Sequence, residues 1–295
     1  WRIIPVIVKG LTRVLTKIMG IGGVEGFGVS ANIFVGMVEA PLLVKPYIRS
    51  ISRSELFSIM TSGMATIAGT VMVLYATILN SVIPGVVGHL LIASLISAPA
   101  AVTVAKLLIP ETGGISDGEI TLSVHAESSM DAITKGTIEG MTLLINIIAM
   151  LVVLVSLVHL LNLILGIIPF PGSEPITIQR LLGYIMAPVT WAMGIPWAEA
   201  KVCGTLMGVK TVLNELIAYQ NLVSLGEGVI SERSRIIMTY AICGFANLGS
   251  LGIMIGGMGA MAPERRNEIV SLGMKSIIAG TLATCMTGAV IGIIY

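Results

Sequence analysis

Five apolar stretches, at about 56–80, 84–109, 139–167, 234–258 and 270–294, are each long enough to cross a bilayer as a helix, which takes roughly 20 residues. The fold class expected is therefore all-α integral membrane. Composition agrees: 55% of residues are hydrophobic and 11% charged, against about a quarter charged in soluble domains. Thirty-four glycines and seventeen methionines suit helices whose backbones approach closely. The net charge of +1 leaves no footprint for nucleic acid. The three cysteines, Cys203, Cys243 and Cys285, are far apart in apolar surroundings and read as buried free thiols, neither metal ligands nor a disulfide framework.

The remaining segments divide the chain. Residues 1–21, with Arg2, Lys9, Arg13 and Lys17 among apolar neighbours, read as the end of a span and an interfacial amphipathic helix. A first repeat follows at 22–110, then a polar loop and interfacial helix at 111–138 (Asp117, Glu119, His125, Glu127, Asp131, Lys135). A scaffold span at 139–167 comes next, and a second repeat at 168–295 opens on the loop of Pro169, Pro171, Gly172 and Pro175. Because the chain starts at Trp1 and not methionine, it is expected to be a fragment.

Two segments, 22–48 and 181–222, are apolar but carry charges near their middles. The first is interrupted at Gly36, with Glu39 and Pro41 just beyond; the second around Gly208, with Lys210, Asn214 and Glu215 following. Both read as re-entrant helical hairpins, whose irregular backbone is tolerated at membrane depth where it lines a cavity. The halves echo each other: Ile59-Met60-Thr61 opens a span after the first hairpin and Ile237-Met238-Thr239 opens one after the second. An odd number of crossings between equivalent points makes the repeats inverted, and inverted repeats with broken helices point to a secondary transporter. Placing Lys45, Arg49 and Arg53 in the cytoplasm puts twelve of seventeen basic residues inside, as the positive-inside rule requires. Arg180, Arg233 and Arg235 then fall outside, and so does the C-terminus.

An ionisable side chain at membrane depth is a functional candidate by default, and Glu39, Lys210 and Glu215 are the clearest. The bland alternative is a Glu–Lys pair holding the hairpins together. The stretch Cys243-Gly244-Phe245-Ala246-Asn247-Leu248-Gly249-Ser250 suggests an unwound turn in which Asn247 and Ser250 bind hydroxyls. Phe245 there either stacks on a flat ring or simply packs in the core. Thr66 marks the equivalent weak point in the first half. His159 and Asn162 read as helix–helix hydrogen bonds, and His89 and His125 as loop or interface residues. No nucleophile elbow, HExxH, P-loop or Cys/His metal spacing is present. Physical reading thus ends at a secondary transporter of a polar solute.

The run Gly208-Val209-Lys210-Thr211-Val212-Leu213-Asn214-Glu215-Leu216-Ile217-Ala218-Tyr219 resembles the G-x-K-x-x-x-N-E-F-V-A-Y signature of concentrative nucleoside transporters. Residues 32–46, 54–69, 243–250 and 262–266 resemble the same family, so the likeness covers essentially the whole chain; family members extend further at the N-terminus. The resemblance implies a homotrimer in the plasma (inner) membrane, importing nucleosides by symport with sodium, or with protons, through an elevator-type movement. By position, Met37, Val38 and Glu39 would face the nucleobase, with Val71 and Phe245 packing against it. Asn214, Glu215, Asn247 and Ser250 would hold the ribose. The sodium positions would be Asn32, Val35, Thr66 and Ile67, partly through carbonyls.

Two departures stand out. Many relatives carry Gln-Thr-Glu where this chain has Met37-Val38-Glu39, and the Gly-Met pair resembles purine-accepting members. Thr66 replaces a serine but keeps the hydroxyl. Competing readings are a cation-coupled carrier of a modified nucleoside or other polar metabolite, and a membrane enzyme. The dispersed acids disfavour the enzyme.

Overall fold

The computed structural model describes residues 3–114, 116, 128–167, 176–226 and 228–295. The loop residues Asp117, Glu119, His125, Glu127, Pro169, Pro171, Gly172 and Pro175 lie outside them. Every regular element among the described residues is helical. In the first half these are α1 (Ile3–Met19), α2 (Gly23–Asn32), α3 (Glu39–Leu43), α4 (Arg53–Ala65), α5 (Gly69–Leu79) and α6 (Val86–Leu108). A long α7 (Ser129–Gly166) follows. The second half contains α8 (Ile178–Ala192), α9 (Trp197–Val212), α10 (Glu215–Ser224), α11 (Glu232–Ile242), α12 (Leu248–Met261) and α13 (Arg266–Ile294).

Local sequence chemistry sets where these helices begin. Ser52 starts α4 with a reciprocal capping box: its hydroxyl accepts from Glu55 N at 3.1 Å, while Glu55 Oε2 accepts from Ser52 N at 2.9 Å. Ser231 caps α11, Asn214 α10 and Asn247 α12, each by a side-chain oxygen accepting one backbone N–H. Such caps satisfy N–H groups that have no partner inside the helix. The helices are continuous and apolar enough to span at Val86–Leu108 and Pro263–Ile294, and, across one break, at Arg53–Leu79. These match the stretches expected at 84–109, 270–294 and 56–80. The stretch at 234–258 is divided into α11 and α12, and α7 runs unbroken from before 139 to Gly166.

One boundary differs from the sequence reading. The helix expected to break around Gly208 continues to Val212, and the interruption falls at residues 213–214. Glycine is present at 208 for packing. A Cβ on Gly208 would lie 2.7 Å from Gln179 O, and one on Gly204 2.4 Å from Gly183 O, so both glycines let α9 lie directly on α8. Residues 181–192 therefore belong to a separate helix, and the pair carrying the second interruption is α9–α10.

Cations collect at opposite ends of the bundle. Arg265 Nη1 donates to Ile48 O at 2.6 Å and Ile51 O at 2.8 Å, and Arg49 pairs with Glu264 at 2.5 Å. Lys106 joins the start of α4 at the same end through Ser54. Arg233 instead ties Gly194 O to Gly292 O near the C-terminus, and Arg235 donates to Leu222 O at 3.1 Å.

Candidate functional site

Four interruptions in helices meet in the middle of the bundle. They are the turn at 33–38 between α2 and α3, residues 66–68 between α4 and α5, residues 213–214 between α9 and α10, and residues 243–247 between α11 and α12. The first two are stitched together: Gly69 N donates to Phe34 O at 3.0 Å, and the Thr66 hydroxyl donates to Asn32 O at 3.1 Å. The second and fourth touch where Gly244 stands against Ala65 O. The third reaches the fourth through side chains. Interrupted backbone exposes carbonyls and N–H groups that a continuous helix would consume, which is why such breaks serve as binding sites.

Glu215 is the centre of the third and fourth interruptions. It opens α10, is 5% exposed, and accepts a hydrogen bond from Asn247 Nδ2 at 3.0 Å on Oε2. The Tyr75 hydroxyl, from α5, donates to Oε1 in a short hydrogen bond. Asn214 and Asn247 each turn Oδ1 back onto their own helix, accepting from Ile217 N at 2.9 Å and Ser250 N at 2.7 Å. Two helix N-termini thus point at one carboxylate, and their partial positive charge favours an anion there. Burying that charge is tolerable because both oxygens are hydrogen-bonded.

The expected base-facing residues divide between two apolar clusters, Met37 and Val38 in one and Val71 at the other, with Phe245 bordering both. Met37 packs over Gly63, where a Cβ would approach Met37 Cβ to 2.8 Å, and Val38 packs over Gly257 of α12. Glu39 is exposed at the first turn of α3 and folds its carboxylate back over Gly36. Phe245 and Val71 are half-buried against the same apolar cluster. Ser250 is 7% exposed and supplies its backbone N–H to the Asn247 cap.

The expected cation positions lie along the first and second interruptions. Asn32 is fully buried; its Nδ2 donates weakly to Ile59 O at 3.4 Å, and its Oδ1 has no hydrogen-bond partner. The Thr66 hydroxyl, its one hydrogen shared between Ser62 O at 2.8 Å and Asn32 O at 3.1 Å, sits beside it. Val35 and Ile67 flank the pair along the same two interruptions. An unpartnered buried amide oxygen beside a hydroxyl and irregular backbone is an all-oxygen donor set, which fits a hard cation such as sodium.

Lys210 makes its hydrogen bonds to a carbonyl and a hydroxyl, not to a glutamate. Its ammonium donates to Ala241 O at 2.8 Å and Thr284 Oγ1 at 2.9 Å, so it bolts α9 to the end of α11 and to α13. Asn162 does bridge helices, donating to Gln179 at 3.0 Å and accepting from Ile178 N at 2.9 Å. His159 is exposed on α7, and His89, half-buried in the first turn of α6, meets the Tyr240 hydroxyl at 2.9 Å. Tyr75 was not singled out in the sequence. It sits in an apolar helix where nothing distinguishes its hydroxyl from an ordinary core tyrosine, and only its α10 partner gives it a role.

Comparison with known proteins follows this geometry. A family model described as "Na+ dependent nucleoside transporter C-terminus" matches residues 89–292, and one described as "Nucleoside recognition" matches residues 1–82. Uncharacterized transporter YutK of Bacillus subtilis (strain 168) is 40% identical over 284 residues, covering 94% of this chain and 69% of that protein. Nucleoside permease NupC of Helicobacter pylori is 36% identical over 298 residues, covering 99% of this chain and 70% of that protein. The solved structure of CNTnw in an inward-facing substrate-bound state superposes with a TM-score of 0.86 at 35% identity, covering 99% of this chain and 70% of that one. The chain belongs to the sodium-dependent nucleoside transporter family.

Proposed function

We propose that this chain binds nucleosides and a coupling cation and carries both inward across the plasma (inner) membrane as a multi-pass secondary transporter. The observation that carries the reading is Glu215, a buried carboxylate held by Tyr75 and Asn247 where helix interruptions converge. In this reading Asn214, Glu215, Asn247 and Ser250 take the ribose hydroxyls. Met37, Val38, Glu39, Val71 and Phe245 take the base. Sodium is the cation assigned, at Asn32, Val35, Thr66 and Ile67; a proton is the alternative, carried by Glu39 or Glu215.

Architecture supports a transporter built by duplication. The series α1–α6 and α8–α13 run through the same order: a helix packed on the next, a second helix ending in an interruption, a short helix, a broken helix and a final long helix. Ile59-Met60-Thr61 and Ile237-Met238-Thr239 fall at matching places in α4 and α11. We take α2–α3 and α9–α10 as the two re-entrant hairpins and the two series as inverted repeats, with residues 1–21, 111–138 and 139–167 as interfacial and scaffold segments around them. Elevator-type movement and a homotrimer complete the proposal.

The test is uptake of radiolabelled adenosine, uridine and inosine by the full-length protein in proteoliposomes, with and without a sodium gradient. Sodium-dependent accumulation that Glu215→Gln abolishes, with insertion intact, is the expected outcome. Uptake that ignores sodium and follows an imposed pH gradient reassigns the cation to a proton. Uptake of none of the three, with competition only by another polar metabolite, overturns the substrate.

A further inference from the structure

A second polar feature runs away from the candidate cation site. Ser54, Ser58, Ser62 and Thr66 recur at every fourth residue of α4, so they fall along one winding stripe of the helix. All four are buried; the Ser62 hydroxyl has no hydrogen-bond partner, and that of Ser58 faces the Glu25 carboxylate. That is unusual, because buried polar atoms are nearly always paired. The packed helix α2 presents Asn32 at one end of this stripe and, two turns earlier, Glu25 at the other. Gly28 between them lets α2 press onto Ile59.

Glu25 is 0% exposed, and neither carboxylate oxygen has a hydrogen-bond partner. Lys106 Nζ stands 3.0 Å from Oε2 as an ion pair without hydrogen-bond geometry, and the Ser58 hydroxyl faces the carboxylate. Lys106 is shared: it also donates to Ser54 Oγ at 3.1 Å and to Glu111 Oε2 at 3.4 Å. Glu55 is close by but committed, with Ser52 N on one oxygen and the Ser116 N–H and hydroxyl on the other. The groups facing Glu25 are thus Lys106 from α6, Glu55 and Ser58 from α4, and, through Lys106, Glu111.

We propose that Glu25, with Ser58 and Ser62, is an inner station for a monovalent cation travelling between the Asn32–Thr66 site and the end of the bundle that carries Arg49, Lys106 and Arg265. Arrival of the cation moves the Lys106 ammonium fully onto Glu111; its departure returns Lys106 to Glu25. Each exchange conserves charge around the buried carboxylate, which is what makes it affordable at depth. Glu111 is suited to receive the ammonium. Its partial burial pushes its carboxyl up, but hydrogen bonds from Ser52 and Gly113 N–H, with Lys106, outweigh this and hold it below the ordinary carboxylate range. The proposal rests on the cation-coupled reading above.

The experiment measures the sodium needed for half-maximal uridine uptake by the full-length transporter in proteoliposomes. Lys106→Gln leaves Glu25 without its resident counter-ion, and the sodium requirement should fall by about tenfold or more, as expected when a contact between near-neighbour charges is replaced by sodium. Adding Glu25→Gln should restore the original requirement. Ser58→Ala, which keeps the Glu25–Lys106 pair, should raise the requirement several-fold and keeps the test open if Lys106→Gln does not fold. An unchanged sodium requirement with a half-activating pH shifted upward in Lys106→Gln assigns the station to a proton. No change in either variable, in Lys106→Gln or in Ser58→Ala, overturns the station. Asn32→Ala run alongside separates the two failures: if it raises the sodium requirement while the other variants do nothing, the inner station alone is wrong; if it too does nothing, the cation-site reading fails.

Discussion

Gly244 faces the carbonyl oxygen of Ala65 so closely that a Cβ added at 244 would lie 2.9 Å from it and 2.8 Å from Thr284 Cγ2. The contact joins the end of α4 to the unwound turn after α11, and backbone cannot move aside as a flexible side chain would. Gly244→Ala should therefore separate the two interruptions. Overpacking of a tight interior costs about 1–3 kcal/mol, and the expected result is a lowered thermal unfolding midpoint of the detergent-purified protein together with a loss of nucleoside uptake. A normal midpoint and normal uptake would show that the two turns need not touch.

Tyr75→Phe removes the hydroxyl that donates to Glu215 Oε1 and little else. A hydrogen bond to a charged group is worth about 1.5–3 kcal/mol, so nucleoside affinity should weaken roughly ten- to a hundredfold while the protein folds normally. Equilibrium binding of tritiated uridine at saturating sodium measures it. Unaltered binding would mean that Tyr75 only fills space beside Tyr219, whose ring centre lies 5.2 Å away.

The unpartnered Asn32 Oδ1 and the Thr66 hydroxyl make separate claims on the cation. Asn32→Ala should raise the sodium concentration for half-maximal uptake. Thr66→Ser should leave it nearly unchanged, because the hydroxyl is kept, whereas Thr66→Val should raise it. Equal behaviour of the serine and valine variants would remove Thr66 from the cation's surroundings.

Base selectivity is predicted from the Met37–Val38 edge, which offers a polarisable apolar wall with Glu39 as its one hydrogen-bonding side chain. Purine nucleosides should compete at least as well as uridine. Met37→Gln with Val38→Thr should shift preference several-fold towards pyrimidines, since a neutral hydrogen bond contributes about 0.5–1.5 kcal/mol. A strong uridine preference unmoved by the double substitution would place selectivity elsewhere.

The helical fold was readable because lipid leaves so few alternatives: apolar length defined α6, α7 and α13, and polar residues within apolar runs marked the interruptions. Thr66 and the Gly244–Asn247 stretch were found this way. The break beyond α9 was misplaced by several residues, since Gly208 looks like a helix breaker in sequence whereas its lack of a Cβ serves the α8 contact. Lys210 was ambiguous for a related reason. A buried ammonium signals that partners exist, but a backbone carbonyl such as Ala241 O carries no sequence signature. Tyr75 and Glu25 are defined by partners from distant helices, 140 residues on for Tyr75, and periodicity along one helix says nothing of these.

Asn214 and Asn247 each spend their amide oxygen on a helix N-terminus, and this fixes which way round both side chains sit. Each presents its NH2 group outward, and Asn247 directs one of those hydrogens to Glu215. The edge therefore has a set polarity: an amide donor beside a carboxylate that accepts. A molecule lying along it must accept from the amide and donate to the carboxylate at nearly the same place. A hydroxyl does both. An amine offers no lone pair once protonated, and a carbonyl offers no hydrogen, so capping two helices also screens what this edge will hold.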